Sequence, residues 1–271
     1  MEIQFLGTGS AFCLQNYQSN LLVKKNDQIL LVDAGGDLRF SLNSIGYLIR
    51  DIDAIYISHL HNDHIGGMEY IALFTYFDPT QHPLTLFTHQ TIIEDMWENA
   101  LKAGLSSVQG KNLELKDYFD LRSIGSELFF EWQDIGFYLV PTPHMYNGKE
   151  TIFTYGLLIH DRATNSKVFL TGDTQFYPQK IQLAYDQANI IIHDCETSAF
   201  KSGVHSHYDE IKNLSPQIKA KTYLWHYQDN VIMDINHWQS KARKDGFQRF
   251  ITKGARLMVN ETNIIYKEDM E

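Results

Sequence analysis

Residues 57–67 read ISHLHNDHIGG, which sets His59, His61, Asp63 and His64 in an H-x-H-x-D-H run. Imidazole nitrogens and carboxylate oxygens suit Zn2+ and, less strictly, Mn2+ or Fe. Three histidines from one tight loop cannot all reach one tetrahedral ion. H-x-H presents two side chains to one point, and the following D-H presents two to a neighbouring point. That pattern fits two ions side by side with a carboxylate shared between them. Two ions roughly 3.5–4 Å apart can activate a water and stabilise the leaving oxygen of a phosphoryl transfer.

The elements that must position these residues show the same arrangement five times. DAIYIS runs into His59, YLVPTP into His144, VFLTG into Asp173, IIIH into Asp194 and TYLW into His226. Each apolar strand delivers a His or Asp at its C-terminal end, where the sites of sheet-based α/β enzymes usually lie. Further strands are expected in IQFLG, on both sides of Lys25–Asp27 as a hairpin, and in PLTLFTH, ELFFEW, FTYGLLIHD, ARLMV and NIIYK. Helical spacing appears in GMEYIALFTYF, in TIIEDMWENALKAG closed by Gly104, and near Pro178–Ala188 and His207–Leu214. Mixed elements of this kind predict an α/β fold of two sheets with helices outside. No repeat, linker or low-complexity tract divides the chain, so residues 1–271 are read as one domain.

The chain has 271 residues, 44 % of them hydrophobic, enough for a sizeable core. Its 33 acids against 23 Lys plus Arg give a net charge of −10. A general nucleic-acid binder needs basic surface to release counterions from phosphates, so stable nucleic-acid binding is not expected. A small anionic substrate held by metals remains compatible with that charge. The two cysteines, Cys13 and Cys195, form no disulfide framework and suggest a reducing compartment. The opening MEIQFLGTGS lacks a basic region followed by a long apolar one, and no run approaches ~20 apolar residues. A cytoplasmic protein without membrane contact is therefore expected.

Asp33 in LLVDAG, the HLHNDH run, His144, Asp173 in LTGD and His226 together resemble the metallo-β-lactamase fold superfamily, in its order and across residues 3 to 226. The resemblance implies a four-layer αββα sandwich with two metal ions at one edge, zinc or alternatively manganese. It assigns His59, His61 and His144 to one ion, Asp63, His64 and His226 to the other, and Asp173 to the bridge between them. Asp33 resembles the buried aspartate that supports the ligand loop. An aspartate at the bridging position, where true β-lactamases of this fold have cysteine, resembles the hydrolase and phosphodiesterase branches.

LGTGSAF and HDCET…GVHSH resemble the tRNase Z branch, in which a late histidine assists the leaving group. The matching residues are His193, Asp194 and His205, with His207 competing for the last role. Three features depart from tRNA processing. Residues 146–166 leave no room for a tRNA-gripping arm, and residues 104–127 balance Lys111, Lys116 and Arg122 against Glu114, Asp117, Asp120 and Glu127. The basic motif near the start is replaced by NYQSN at 16–20. GTGSAF…NYQSN and ISHLHNDHIGGMEY are more similar to small phosphodiesterases that open cyclic mononucleotides, the anti-Pycsar type included. This implies a homodimer acting on a small phosphodiester, with Asp63, Asp194 and His205 catalytic. Ser19, Asn20, Tyr146 and Asn147 are candidate substrate contacts. A tRNA 3′-end endonuclease and a hydrolase of carbon esters or lactones on the same metals are the alternatives.

Overall fold

The computed structural model describes residues 1–260 and 264–268. The chain opens with β1 (Glu2–Phe5), β2 (Leu21–Lys25), β3 (Gln28–Val32), β4 (Ala54–Ile57) and β5 (Leu84–His89). A small hairpin of β6 (Ser107–Val108) and β7 (Lys111–Asn112) precedes β8 (Phe119–Ile124). Then follow β9 (Phe129–Trp132), β10 (Ile135–Tyr146), β11 (Thr151–Asp161), β12 (Ser166–Leu170), β13 (Ile190–Asp194), β14 (Thr222–Trp225) and β15 (Arg249–Phe250). The strands β16 (Arg256–Val259) and β17 (Ile264–Lys267) close the fold. Of the expected strand NIIYK, Asn263 lies outside the described residues, as do 261–262 and 269–271.

Two large sheets result. One has the order β17-β16-β1-β2-β3-β4-β5-β8 and the other β15-β14-β13-β12-β11-β10-β9. In each, four consecutive strands run parallel: β3, β4, β5 and β8 in the first, β12 to β15 in the second. β10 and β12 both pair antiparallel to β11 and so share one direction.

Side-chain alternation divides the interior into three cores. Ile3, Phe5, Val23 and Tyr56 of the first sheet meet Phe137, Ile159, Ile190 and Ile192 of the second. The opposite face of the first sheet, with Leu31, Ile55 and Ile57, packs on Leu38, Leu42, Met68 and Ile71 from its helices. The opposite face of the second, with Phe169, Ile191 and Leu224, packs on Ile181, Tyr185, Ile218 and Ala242. Three cores separate four layers, so the architecture is the αββα sandwich. β4, β13 and β14 are buried along their whole length, which is why they read as unbroken apolar runs.

Several local expectations are corrected. The helical stretch from Gln90 carries a π-helical turn at Met96–Leu101 and ends with Lys102–Leu105. Gly104 lies inside that last turn and does not close it; a Cβ there would come within 2.4 Å of the Glu69 carboxylate. The strand expected to stop at His144 continues to Tyr146, with a bulge between Pro143 and Met145. The helix Ile235–Lys244 is not among the expected ones; it packs on the core through Ile235, Trp238 and Ala242, a short stripe in INHWQSKARK. Its legible signals are the Asp234 cap, whose carboxylate accepts the His237 N–H at 3.3 Å, and the basic last turn.

Candidate metal centre

The parallel halves of both sheets end at one edge, and the ligand-type residues follow those ends. Asp33 comes directly after β3, His59 two residues after β4, Asp173 three after β12, and His226 directly after β14. Asp194 is the last residue of β13, and His144 sits at the β10 bulge. The turns that aim them are strained. Asp33 and His226 adopt φ of 61° and 59°, and Gly172, just before Asp173, has 62°. Left-handed non-glycine residues cost of order 1–3 kcal/mol each and survive only where the surroundings fix them.

Backbone bonds supply that fixation for the motif loop. Ala34 N–H donates to the His64 carbonyl at 2.7 Å, and Gly67 N–H donates to the Ala34 carbonyl at 2.8 Å. A Cβ on Gly67 would lie 2.7 Å from the Gly35 carbonyl oxygen, so the second glycine of HIGG is required by close approach.

The side chains form two clusters that share Asp173. In the first, His61 Nδ1 lies 3.1 Å from both His59 Nε2 and His144 Nε2. Asp173 Oδ2 is 3.7 Å from His59 Nε2 and 3.9 Å from His144 Nε2. In the second, Asp63 Oδ2 is 3.3 Å from His64 Nε2 and from His226 Nε2. Asp173 reaches the same two nitrogens at 3.3 and 3.5 Å. Zinc–nitrogen bonds of about 2.0–2.1 Å place neighbouring corners of a tetrahedron about 3.3 Å apart. The donor spacings fit that figure. The loop divides as its spacing suggests, His59 and His61 to one cluster, Asp63 and His64 to the other.

The opposite ring nitrogens are held so that the clustered ones keep free lone pairs. His64 Nδ1 donates to Asp33 Oδ2 at 2.8 Å, and that carboxylate also accepts the Ser58 N–H and hydroxyl, each at 2.8 Å. His144 Nδ1 donates to the Val204 carbonyl at 2.8 Å, and His59 Nδ1 lies 3.1 Å from Ser58 Oγ. His226 Nδ1 lies 3.3 Å from Asp194 Oδ1. His64 Nε2 is buried without a hydrogen-bond partner, aimed at the carboxylates of Asp63 and Asp173. Such an orphaned donor site fits a metal ion.

The electrostatics agree. Burial works against the His64 cation, yet Asp173, Asp63 and Asp33 raise its pKa well above the usual value. Burial likewise opposes the His226 cation, and Asp173, Asp194 and Asp63 raise it well above. Burial alone would raise Asp63 and Asp173; the histidines around them hold both carboxyls well below the usual range. These directions mark a corner rich in negative charge, which favours a bound cation. In the first cluster, burial together with neighbouring imidazoles pushes His59 well down and His144 down to about 4.

His205 stands beside the clusters, its ring stacked on His226 at 4.7 Å between centroids. Its Nδ1 donates to Asp194 Oδ2 at 3.0 Å; burial lowers its pKa, but Asp194 outweighs burial and the net direction is up. Asp194 also accepts the Thr174 N–H at 2.9 Å, so one buried carboxylate orients both His205 and His226. His207 is used otherwise: its Nδ1 accepts the Asp209 N–H that caps Tyr208–Ile211, and its Nε2 donates to the Ser198 carbonyl at 3.0 Å. His193 points into the second helix-side core, against Tyr185 Oη at 2.6 Å.

Three of the other candidate contacts, Ser19, Asn20 and Asn147, make structural bonds. Ser19 is buried and donates to the Gly9 carbonyl; Asn20 is buried and accepts the Gly35 N–H at 2.8 Å. Asn147 accepts the N–H groups of Lys149 and Glu150, which builds the β10–β11 turn. Tyr146 is exposed on that hairpin. Sequence reasoning missed Ser58 and the two clefts beside the donor clusters. One, of about 470 Å³, runs from His59, His61 and His144 to Tyr155 and Glu150. The other, of about 350 Å³, runs from His205 to Phe12, Phe200 and Val204.

Comparison with known proteins follows from this geometry. The family described as anti-Pycsar protein Apyc1 matches residues 1–257. The anti-Pycsar protein Apyc1 of Bacillus phage 010DV004 is 32 % identical over 264 residues, covering 94 % of this chain and 96 % of that protein. Among solved structures, the metallo-β-lactamase fold protein YhfI from Bacillus subtilis superposes with a TM-score of 0.71 at 18 % identity, covering 94 % of this chain and 97 % of its own. The zinc-bound PqqB from Methylobacterium extorquens gives 0.74 at 13 % identity, covering 96 % of this chain and all (100 %) of its own. The two structures share the metallo-β-lactamase fold with this chain.

Proposed function

Since the chain belongs to the anti-Pycsar protein Apyc1 family, we propose that it is a metal-dependent phosphodiesterase that hydrolyses cyclic nucleoside monophosphates. The observation that carries this reading is the pair of donor clusters joined through Asp173 with His205 beside them. His59, His61, His144 and Asp173 would hold one ion, and Asp63, His64, His226 and Asp173 the other, zinc or manganese in each. Bound there, the ions would supply a water of lowered pKa and positive charge for the phosphate oxygens.

The chain's own residues do the rest. Asp63, fixed by His64 and His226, orients the attacking water. His205, held at Nδ1 by Asp194, leaves Nε2 to protonate the departing ribose oxygen. One P–O bond to the ribose breaks, the water oxygen joins phosphorus, and the ribose oxygen takes a proton from His205, balanced by the one the water loses. A single phosphodiester needs no basic surface, which agrees with the net charge of −10. The β10–β11 connection is a short turn between Tyr146 and Thr151, which supports a small substrate over tRNA.

The same reading carries a single hydrolase domain over 1–271 and a homodimer, both on the family resemblance. A reducing cytoplasmic setting draws support from the free cysteines Cys13 and Cys195. Among the described residues, no helix is long and apolar enough to cross a membrane.

The test offers zinc- or manganese-loaded protein a set of 3′,5′-cyclic nucleotides and, separately, a 3′-extended tRNA at physiological salt. Opening of the cyclic nucleotides with the tRNA intact is expected. Removal of the tRNA trailer with cyclic nucleotides untouched would overturn the assignment.

A further inference from the structure

Two of the most exposed large apolar side chains among the described residues line one cleft. Phe12 is 94 % and Phe200 72 % exposed, and both face the cleft of about 350 Å³ that His205 enters. Isolated surface aromatics need no explanation, but two on one concave site beside the candidate general acid do.

Neither sits on a loose loop. The Asp229 carboxylate accepts the backbone N–H groups of Leu14 and Gln15 at 2.8 and 3.1 Å, and Cys13 N–H donates to the Ser10 carbonyl. On the other loop, the Glu196 carboxylate accepts the Ser198 hydroxyl at 2.9 Å and the Ser202 N–H at 3.0 Å. His207 Nε2 donates to the Ser198 carbonyl. Both loops are braced by carboxylates, the half-buried Asp229 and the buried Glu196, yet each leaves its phenyl ring exposed at the cleft.

Position decides what the rings meet. An in-line displacement sends the leaving oxygen away from the attacking water, and His205 marks the leaving side. In a cyclic nucleotide that oxygen belongs to the ribose, so the nucleoside extends from His205. The cleft on that side is the one with the phenyl rings. The carboxylates that line it, Glu196 and Asp229, are engaged with backbone and hydroxyl donors.

We propose that Phe12 and Phe200 form the stacking platform for the nucleobase, so that base binding in this protein rests on their π-faces. The proposal rests on the cyclic-nucleotide reading above.

The test uses the zinc-loaded full chain and its Phe12→Ala and Phe200→Ala variants. It reads the Kd of a hydrolysis-resistant cyclic phosphorothioate, the KM for the parent nucleotide, and turnover of bis(4-nitrophenyl) phosphate, which has no base. Each alanine variant is expected to raise Kd and KM about 5- to 100-fold, the scale of one base–aromatic stack. The loss on the nitrophenyl diester should be smaller by a similar factor. Phe200→Trp should restore binding, with its indole fluorescence quenched by the ligand. Wild-type binding that the alanine variants leave unchanged would overturn this proposal alone. Equal losses on both substrates would also overturn it. So would a lower molecular mass in light scattering with unchanged Kd, which would give the rings to a second copy of the chain. Wild-type protein that cleaves the nitrophenyl diester but binds no cyclic nucleotide would overturn the substrate reading and this proposal with it.

Discussion

The two donor clusters share Asp173 but differ in what stands behind them. The histidines of the second are backed by carboxylates: Asp33 behind His64 and Asp194 behind His226. Those of the first are backed by neutral groups, the Ser58 hydroxyl behind His59 and the Val204 carbonyl behind His144. The second cluster also has its own carboxylate, Asp63, and is fully buried, whereas His61 in the first is half-buried. The pKa directions follow. The carboxylates raise His64 and His226, while burial and neighbouring imidazoles lower His59 and His144. The second cluster is the more anionic and the more buried, so its ion should be the harder to remove, and the first cluster should empty first under a chelator.

Asp173 is where that asymmetry breaks down, because both clusters depend on it. Asp173→Ala should lose both ions and cyclic-nucleotide hydrolysis with them, while His226→Ala keeps the first-cluster ion. Elemental analysis of protein purified in parallel, with circular dichroism to show that both variants fold, checks this. Equal metal content in the two variants would remove Asp173 from the shared position.

His205 sharpens the distinction between holding metal and moving a proton. His205→Ala should keep both ions yet lose roughly 10²–10⁴-fold in turnover, the usual scale for a general acid. The loss should shrink on nitrophenyl esters, whose leaving groups need no proton. An equal loss on good and poor leaving groups would point to a positioning role.

These residues were legible in sequence for a physical reason. His and Asp are rare at the ends of apolar strands, and both sheets gather the ends of their parallel strands at one edge, so strand order alone brought distant residues together. Two sheets with helices outside were legible from the apolar strands and helical spacings, while the four-layer αββα order came from the family resemblance. Ser19, Asn20 and Asn147 were misread because serine and asparagine serve substrates and turns with the same atoms; only their bonds to Gly9, Gly35 and the β10–β11 turn decide. His205 and His207 could not be separated until the helix cap claimed His207. Phe12 and Phe200 carry no periodic signal, since a ring exposed on a loop looks the same in sequence as one buried beneath it. The helix Ile235–Lys244 shows only a short stripe, Ile235, Trp238 and Ala242, among polar and charged residues, too sparse to announce it.

The smallest effect concerns the backing groups. Asp33→Asn should weaken the second-cluster ion about 10- to 100-fold. Ser58→Ala, which removes one hydroxyl from Asp33 and the neighbour of His59 Nδ1, should weaken binding less. Competition titration with a chromophoric chelator reads both constants. Reversal of the order would mean that neutral backing holds metal here as firmly as a carboxylate.

The central claim is that two ions sit on either side of Asp173. Crystals of zinc-loaded protein, measured above and below the zinc absorption edge, test it most directly. Two anomalous peaks are predicted roughly 3.5–4 Å apart, one among His59, His61 and His144 and one among Asp63, His64 and His226. A single peak at full zinc loading, or peaks away from these donors, would contradict the account.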